Sequence, residues 1–201
     1  MKSKVYDRAY FDRWYRDPRF AVVGREVLER RVRLAVSQTE YLLERPVRNV
    51  LDVGCGEGTW RAVLKRLRPG VRYLGLDSSD YALRRHGSRR NLRRGSVGEL
   101  AELNLRGPYD LIVCSDVLHS VTTAELRRGL RDMSGLLGGV AFLEFFCAED
   151  EVEGDRTGLQ PRPAAVYQRA IRAAGLYPVG LHCYVGREIH RGLTRFEQAW
   201  P

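Results

Sequence analysis

The sequence lacks the features that mark several large classes of protein. No apolar run is long enough to cross a bilayer, and the first residues lack the apolar segment of a signal peptide. The four cysteines are widely separated, and no pair has the spacing of metal ligands. The sequence therefore predicts no membrane partner and no metal site, and it favours a reducing, cytoplasmic compartment.

Lysine is also scarce. The chain has 201 residues and a net charge of +9, and its lysines lie only at positions 2, 4 and 65, so arginine carries nearly all of the excess charge. Six arginines cluster around His86, at positions 84 to 94. A basic cluster can bind nucleic acid, but no aromatic residues are interleaved with this one as stacking platforms for bases. It is typical of a solvated helix surface, and a nucleic-acid partner stays open as the alternative.

The sequence is organised around the stretch from Val50 to Thr59. An apolar run typical of a buried parallel strand leads into glycines at positions 54, 56 and 58, and an amphipathic helix follows. Glycine is favoured where the backbone needs a positive φ or where a ligand leaves no room for a Cβ. Dinucleotide-binding proteins have the pattern Gly-x-Gly-x-x-Gly, and here the third glycine comes one residue earlier. Asp52 and Glu57 would also repel a pyrophosphate. The turn suits a ligand with a cationic end, and a merely tight turn is the alternative.

Polar residues follow several of the other predicted strands. Asp77 ends a strand 25 positions after Asp52, where it would accept hydrogen bonds from ribose hydroxyls or cap the next helix. A fourth strand, apolar over residues 111–114, leads into Ser115, Asp116 and His119. In the fifth, Glu144 interrupts the apolar run near its end. Ligands of open α/β sheets bind beyond the carboxyl ends of the strands, so these residues are candidates for a site.

The order of these motifs resembles that of the class I S-adenosylmethionine-dependent methyltransferases. The resemblance covers residues 47–184 and rests on the glycine loop, on Asp77, on Gly95-Ser96 and on Tyr109 to His119. It implies an α/β fold, a three-layer Rossmann-like sandwich whose mostly parallel seven-stranded sheet has a terminal antiparallel strand. We expect a single domain over 1–201, with an N-terminal helical lid or extension at 1–45 and a core at 46–201. The terminal antiparallel pair is expected from Leu176–Tyr184 and Leu193–Trp200.

The resemblance also implies where S-adenosylmethionine would bind. The loop backbone would lie against its methionine part, Asp52 would help to hold its ammonium, and Asp77 would bind its ribose. Ser96 stands where an acidic residue is common in the family, which leaves the backbone of Val97 to contact adenine. The predicted cofactor-binding residues are Asp52, Gly54, Cys55, Gly56, Gly58, Asp77, Ser78, Ser96, Val97, Ser115 and Asp116.

The methyl acceptor is predicted by elimination to be a small molecule. The Asn/Asp-Pro-Pro-aromatic motif typical of nucleic-acid amino methylation is missing after the fourth strand, and no Pro-Cys nucleophile occurs. The lysines common in ribose methylation are missing from the core, apart from Lys65 on an outer helix face. Oxygen, nitrogen and carboxyl acceptors stay open, as do an RNA-directed enzyme that uses the arginines at 84–94 and a cofactor-binding protein without activity. The sequence does not fix the oligomeric state.

The acceptor-binding residues are predicted to be Tyr10, Trp14, His119 and Glu144. His119 is a candidate general base, because the pKa of histidine suits neutral pH, and a packed histidine is the equal alternative. Tyr6, Tyr10 and Trp14 recur every four residues, which predicts one face of an N-terminal helix. Many members of the resembled class close their site with an aromatic N-terminal segment. We therefore expect a mobile lid at residues 6–20, with ordinary packing on the domain as the alternative.

Overall fold

A computed structural model describes residues 4–21 and 23–198 of the chain, and a seven-stranded sheet lies at its centre. The strand order is β3-β2-β1-β4-β5-β7-β6, and all neighbours are parallel except at β7, which is antiparallel to β5 and β6. This confirms the predicted mostly parallel α/β sheet. The strands are β1 Asn49–Val53, β2 Arg72–Asp77, β3 Leu92–Arg94, β4 Tyr109–Ser115, β5 Leu137–Glu144, β6 Leu176–Gly180 and β7 Cys183–Gly186.

Helices flank the sheet on both faces. They are α1 Arg8–Phe11, which continues as a π-helical turn Asp12–Arg16, then α2 Arg25–Leu43, α3 Thr59–Leu67, α4 Asp80–Arg90, a 3₁₀ helix Val97–Leu103, α5 Thr123–Leu136, α6 Ala164–Ala173 and α7 Arg187–Gly192. None of the helices in the described part of the chain is long and apolar enough to cross a membrane.

The two faces of the sheet bury separate hydrophobic clusters. Successive side chains of a strand point to opposite faces, so Val50 packs in one cluster and Leu51 in the other. The first cluster includes residues of α2 and α3, and the second includes residues of the 3₁₀ helix, α5 and α6. Helix α2 therefore forms part of the layered core, because its residues Val32, Ala35 and Val36 pack against the sheet.

The chain crosses over at β1. It runs outward through β2 and β3, and then returns to place β4 on the opposite side of β1, where Val50 pairs with Leu111. In an open α/β sheet, this reversal leaves a crevice between the carboxyl ends of the two strands, and ligands bind there. The topology therefore brings the glycine loop after β1 next to the polar residues after β4.

The antiparallel pair at the end of the chain differs from the sequence prediction. Both strands come from residues 176–186, joined by a tight turn at Leu181 and His182, which have φ angles of 50° and 65°. Positive φ at both turn residues is typical of a short hairpin, so the pair closes before residue 187. Helix α7 and a turn follow, and the predicted strand Leu193–Trp200 is wrong over residues 193–198. Its last two residues lie outside the described residues.

Candidate functional site

The loop after β1 has the backbone conformation that its glycines predict. Gly54, Gly56 and Gly58 all have positive φ, at 74°, 54° and 70°. The N–H groups of Gly54 and Cys55 both donate to the carbonyl of Leu76, at 2.8 and 3.0 Å, which ties the loop to the end of β2. Val117, from the segment after β4, packs so closely on Gly54 that a Cβ there would collide with it. The loop therefore needs glycine for its conformation and for its close packing.

Asp77 fixes the other side of the loop. Its carboxylate is 9% exposed and accepts hydrogen bonds from the N–H of Gly56 at 2.7 Å and from the N–H of Ser79 at 2.8 Å. Burial raises the pKa of Asp77, and the backbone hydrogen bonds oppose that shift. Each oxygen has a further lone pair, so the carboxylate can also accept from ligand hydroxyls. Ser78 lies exposed beside it, at the mouth of the site.

Asp52 lies beneath the loop rather than on its surface. It is 3% exposed and accepts a hydrogen bond from the hydroxyl of Tyr73 at 2.7 Å. Burial raises the pKa of Asp52 to about 7, and burial also raises that of the neighbouring Cys55 thiol. The structure thus gives Asp52 a partner inside the protein, and its contact with a bound ligand stays a prediction.

The segment after β3 lies beside Asp77. The N–H of Gly95 donates to the Asp77 carbonyl at 3.1 Å, which brings Ser96 and Val97 to this edge of the sheet. The Ser96 hydroxyl donates to Glu99 at 2.7 Å, and the Val97 side chain is buried against Gly129 of α5. Both side chains are therefore engaged within the protein, which leaves the backbone here as the surface for a ligand.

The carboxyl ends of β4 and β5 carry a linked group of polar side chains. The Ser115 hydroxyl donates to Glu144 at 2.7 Å, and the other Glu144 oxygen pairs with Arg31 of α2, also at 2.7 Å. Asp116 lies next to them, 3.9 Å from the same guanidinium, with a φ of 61°. Partial burial, and the nearby Glu144 charge, raise the pKa of Asp116 to about 6. A non-glycine residue with positive φ is uncommon, and such conformations cluster at functional sites.

Arg31 was not among the residues predicted from the sequence. The signal was its spacing, because Arg31 follows Leu28 by three positions and precedes Ala35 by four, and both of these side chains pack in the core. An arginine on the apolar face of a helix indicates a buried partner, here Glu144.

His119 is buried, with 7% of its surface exposed, and its ring nitrogen Nδ1 accepts a hydrogen bond from the N–H of Phe146 at 3.3 Å. Burial lowers the pKa of His119 to about 4, and Lys4 and Arg162 add to the shift. The imidazole is therefore neutral near pH 7, with its proton on Nε2. In this form Nε2–H is a hydrogen-bond donor, so a role in orienting a ligand fits the geometry better than that of a general base.

The N-terminal segment lies directly on the glycine loop. Phe11 is 1% exposed and stacks on Tyr81 of α4, with ring centres 5.5 Å apart. The Tyr15 hydroxyl would lie 2.5 Å from a Cβ on Gly56. The carbonyl of Tyr6 accepts from the Ser79 hydroxyl at 2.6 Å. These contacts attach the segment to Gly56 of the loop and to the residues that follow β2.

The predicted aromatic face is divided in the structure. Tyr10 packs edge-on against Tyr6, with ring centres 5.0 Å apart, whereas Trp14 packs on Phe20 at 5.8 Å. Asp7 accepts from the N–H of Tyr10 and starts helix α1 after Tyr6, and the π-helical turn then changes the helical period. Sequence reasoning consequently did not single out Phe11 and Tyr15, the two rings that cover the loop.

The strand order and this glycine loop define the Rossmann-like fold of the class I S-adenosylmethionine-dependent methyltransferases. Residues 51–142 match the family model of the methyltransferase domain.

The chain is also similar to individual methyltransferases. A stretch of 77 residues is 39% identical to a trans-aconitate 2-methyltransferase of Deinococcus radiodurans, and it covers 37% of this chain but only 29% of that protein's length. The fold is similar to that of the sugar N-methyltransferase KedS8 from Streptoalloteichus sp, with a TM-score of 0.58 and 23% identity over 93% of this chain and 94% of that one. It is also similar to a SAM-dependent methyltransferase from Archaeoglobus fulgidus, with a TM-score of 0.63 and 16% identity over 84% and 73% of the two chains. At these identities the two structures establish the fold alone.

Proposed function

We propose that this protein transfers the methyl group of S-adenosylmethionine to a small-molecule acceptor. The observation that carries the proposal is the cradle at the crossover point, a loop of three glycines with positive φ in which the N–H of Gly56 donates to the Asp77 carboxylate. The match to the methyltransferase domain and the relatives that act on small molecules support it.

The residues of the cradle fit this methyl donor. The backbone from Gly54 to Gly58 would hold its methionine part, Asp77 would accept from the ribose hydroxyls, and the backbone at Ser96 and Val97 would contact adenine. When bound, the donor supplies a sulfonium methyl group that a nucleophile can attack. Positioning contributes most to such a transfer, because donor and acceptor must meet in line.

The chain's own residues would exclude water and orient the acceptor. Phe11 and Tyr15 cover the loop with apolar ring surface, and aromatic faces also attract a cationic donor. His119 would donate a hydrogen bond from Nε2 toward the acceptor, while Tyr10 and Glu144 form the adjoining surface. In this scheme residues 6–20 are the lid of a single domain, and α2 packs with the core formed by residues 46–201.

The arginine cluster at 84–94 supports a nucleic-acid acceptor less well. Arg90 donates to the carbonyl of Glu57 at 2.6 Å, and Arg94 pairs with Asp80, so the chain itself engages part of the cluster. A reducing cytoplasm remains the compartment that we propose, because the four widely spaced cysteines are all free thiols.

Transfer of a labelled methyl group tests the proposal. Purified protein is incubated with S-adenosylmethionine labelled in its methyl group and with a metabolite extract of the source organism, and small molecules are separated from RNA. We expect label in the small-molecule fraction that depends on the protein. Label confined to RNA would favour the nucleic-acid alternative, and no transfer together with tight cofactor binding would favour a binding protein.

A further inference from the structure

Asp116 presents a carboxylate without a close partner in the candidate site. Its side chain is 43% exposed and accepts no hydrogen bond from the residues that the structure describes. The nearest cation is Arg31 at 3.9 Å, and that guanidinium is 2.7 Å from Glu144. The next residue, Val117, packs on Gly54, so Asp116 lies beside the loop that would hold the methionine part of the donor.

The cations around the site are already paired. Arg31 is bound to Glu144, and the Lys4 ammonium lies 2.7 Å from Asp155. Arg162 is buried and donates to the Thr123 hydroxyl and to main-chain carbonyls. Over residues 4–21 and 23–198, the site thus offers an anion whose one ion pair is the long contact with Arg31, and cations that are engaged at closer range, which is the reverse of what an anionic acceptor needs.

We propose that the acceptor is an amine and that its nucleophilic nitrogen donates an N–H to the Asp116 carboxylate. This inference rests on the proposed function and names the acceptor class of the same site. It makes Asp116 a specificity-determining residue of the acceptor site, in place of its predicted contact with the cofactor.

The charge balance of the transfer favours a nitrogen acceptor here. An amine that is protonated in solution first loses that proton to solvent. The lone pair of the neutral amine then attacks the methyl carbon, the carbon–sulfur bond breaks, and the electron pair of that bond stays on sulfur. The nitrogen becomes an ammonium, whose charge develops beside Asp116 and is stabilised there, and the product then loses a proton to solvent. A carboxylate acceptor would instead be repelled by Asp116 before the reaction, and its charge would be neutralised as the bond forms.

The acceptor class is tested by blocking amines. One half of a metabolite extract is treated with sulfosuccinimidyl acetate, which acetylates amines, and the reagent is allowed to hydrolyse. Both halves are then incubated with the protein and methyl-labelled S-adenosylmethionine. We expect at least tenfold less label in the acetylated half, restored when untreated extract is added back, and a product that resists mild base.

Other outcomes separate the two proposals. Equal labelling of both halves, or label that mild base releases as methanol, would overturn the amine inference and leave the methyl-transfer function intact. No label in either half would count against the proposed function itself, and the amine inference would fail with it.

Substitution of Asp116 tests its proposed role in binding the amine acceptor. Asp116→Asn is expected to reduce labelling of the extract at least tenfold, with the Kd for S-adenosylhomocysteine within threefold of the wild-type value. Asp132→Asn on α5 is the matched control and should retain activity. Loss of S-adenosylhomocysteine binding in the Asp116 variant would place Asp116 in the cofactor site instead, and unchanged labelling would remove it from the acceptor site.

The pH dependence of the methyl-transfer rate is a second test of the role of Asp116. The charged and titratable groups facing Asp116 are Glu144 of β5, Arg31 of α2, and Tyr10 and Tyr15 of the N-terminal segment. With its pKa raised to about 6, Asp116 is ionised at pH 7 and becomes protonated as the pH falls below 6. The wild-type rate should therefore fall through pH 6, and the residual rate of Asp116→Asn should lack that step. The same step in the variant would contradict the assignment.

Discussion

The Arg16 guanidinium pairs with the Glu57 carboxylate, which joins the N-terminal segment to the glycine loop across 41 positions of sequence. Glu57 is 6% exposed, and His86 of α4 lies 3.5 Å from the same carboxylate oxygen. The hydrogen bond to Glu57 raises the pKa of Arg16. The acidic residue that would repel a pyrophosphate thus also anchors the segment that covers the site.

Loss of this ion pair should loosen the segment. We expect Arg16→Gln to speed amide hydrogen exchange in residues 10–15 by about threefold, a small effect because Arg16 is partly exposed and such pairs contribute up to ~1 kcal/mol. Arg8→Gln, on the same segment, removes an exposed pair with Asp12 and is the control. Equal exchange rates in both variants and in the wild type would show that the pair does not hold the segment.

The prediction that residues 6–20 form a mobile lid can be tested on its aromatic side chains. S-adenosylhomocysteine should slow amide exchange around Tyr10 to Tyr15, because the segment would close on the bound ligand. Phe11→Ala should reduce turnover more than Trp14→Ala, since Phe11 packs on the site and Trp14 packs on Phe20. Slow exchange that the ligand leaves unchanged would mean ordinary core packing, and a larger loss in the Trp14 variant would restore Trp14 as an acceptor-site residue.

His119 should make the protein less stable in mild acid. Its pKa is about 4 in the folded protein and near 6.5 when unfolded, so the unfolded chain binds the additional proton between these values. The stability that neutral His119 confers is full above pH 6.5 and is lost as the pH falls toward 4, by up to about 3 kcal/mol. Denaturant titrations should show a smaller loss over this range in His119→Asn, whose amide oxygen can still accept from Phe146. Parallel curves for the two proteins would contradict the depressed pKa.

A side chain at Gly56 should disrupt the loop. Alanine would have to adopt a positive φ and would meet the Tyr15 hydroxyl, so we expect Gly56→Ala to lower S-adenosylhomocysteine affinity at least tenfold and to cost about 1–2 kcal/mol of folding free energy. Gly70→Ala is the control, because a Cβ there has nothing within 4 Å. Calorimetry and thermal unfolding measure the two effects. Wild-type affinity in a folded Gly56 variant would show that the loop tolerates a side chain.

The sequence predicted those parts of the site that depend on local patterns. The strand, the glycine loop and Asp77 follow one another at spacings fixed by a single βαβ unit, so their positions could be inferred without a structure.

The remaining parts of the site depend on contacts between distant elements. Arg31 reaches Glu144 only because α2 packs across the sheet, and no sequence pattern specifies that partner. Tyr15 reaches Gly56 because a π-helical turn shifts the register of the rings, and helical periodicity assumes that no such turn occurs. The terminal hairpin was misplaced because two non-glycine residues form its turn, so the usual glycine signal is missing.

Binding of S-adenosylhomocysteine to the wild type and to Asp77→Asn, measured by calorimetry, tests the cofactor site most directly. The amide keeps the size of the side chain but loses the charge and an acceptor, so affinity should fall at least tenfold, which corresponds to about 1.4 kcal/mol. Asp80→Asn, three residues on and exposed, should bind like the wild type, and NAD should bind none of the three proteins. Equal S-adenosylhomocysteine affinity in a folded Asp77 variant, or binding of NAD in preference to it, would contradict the account.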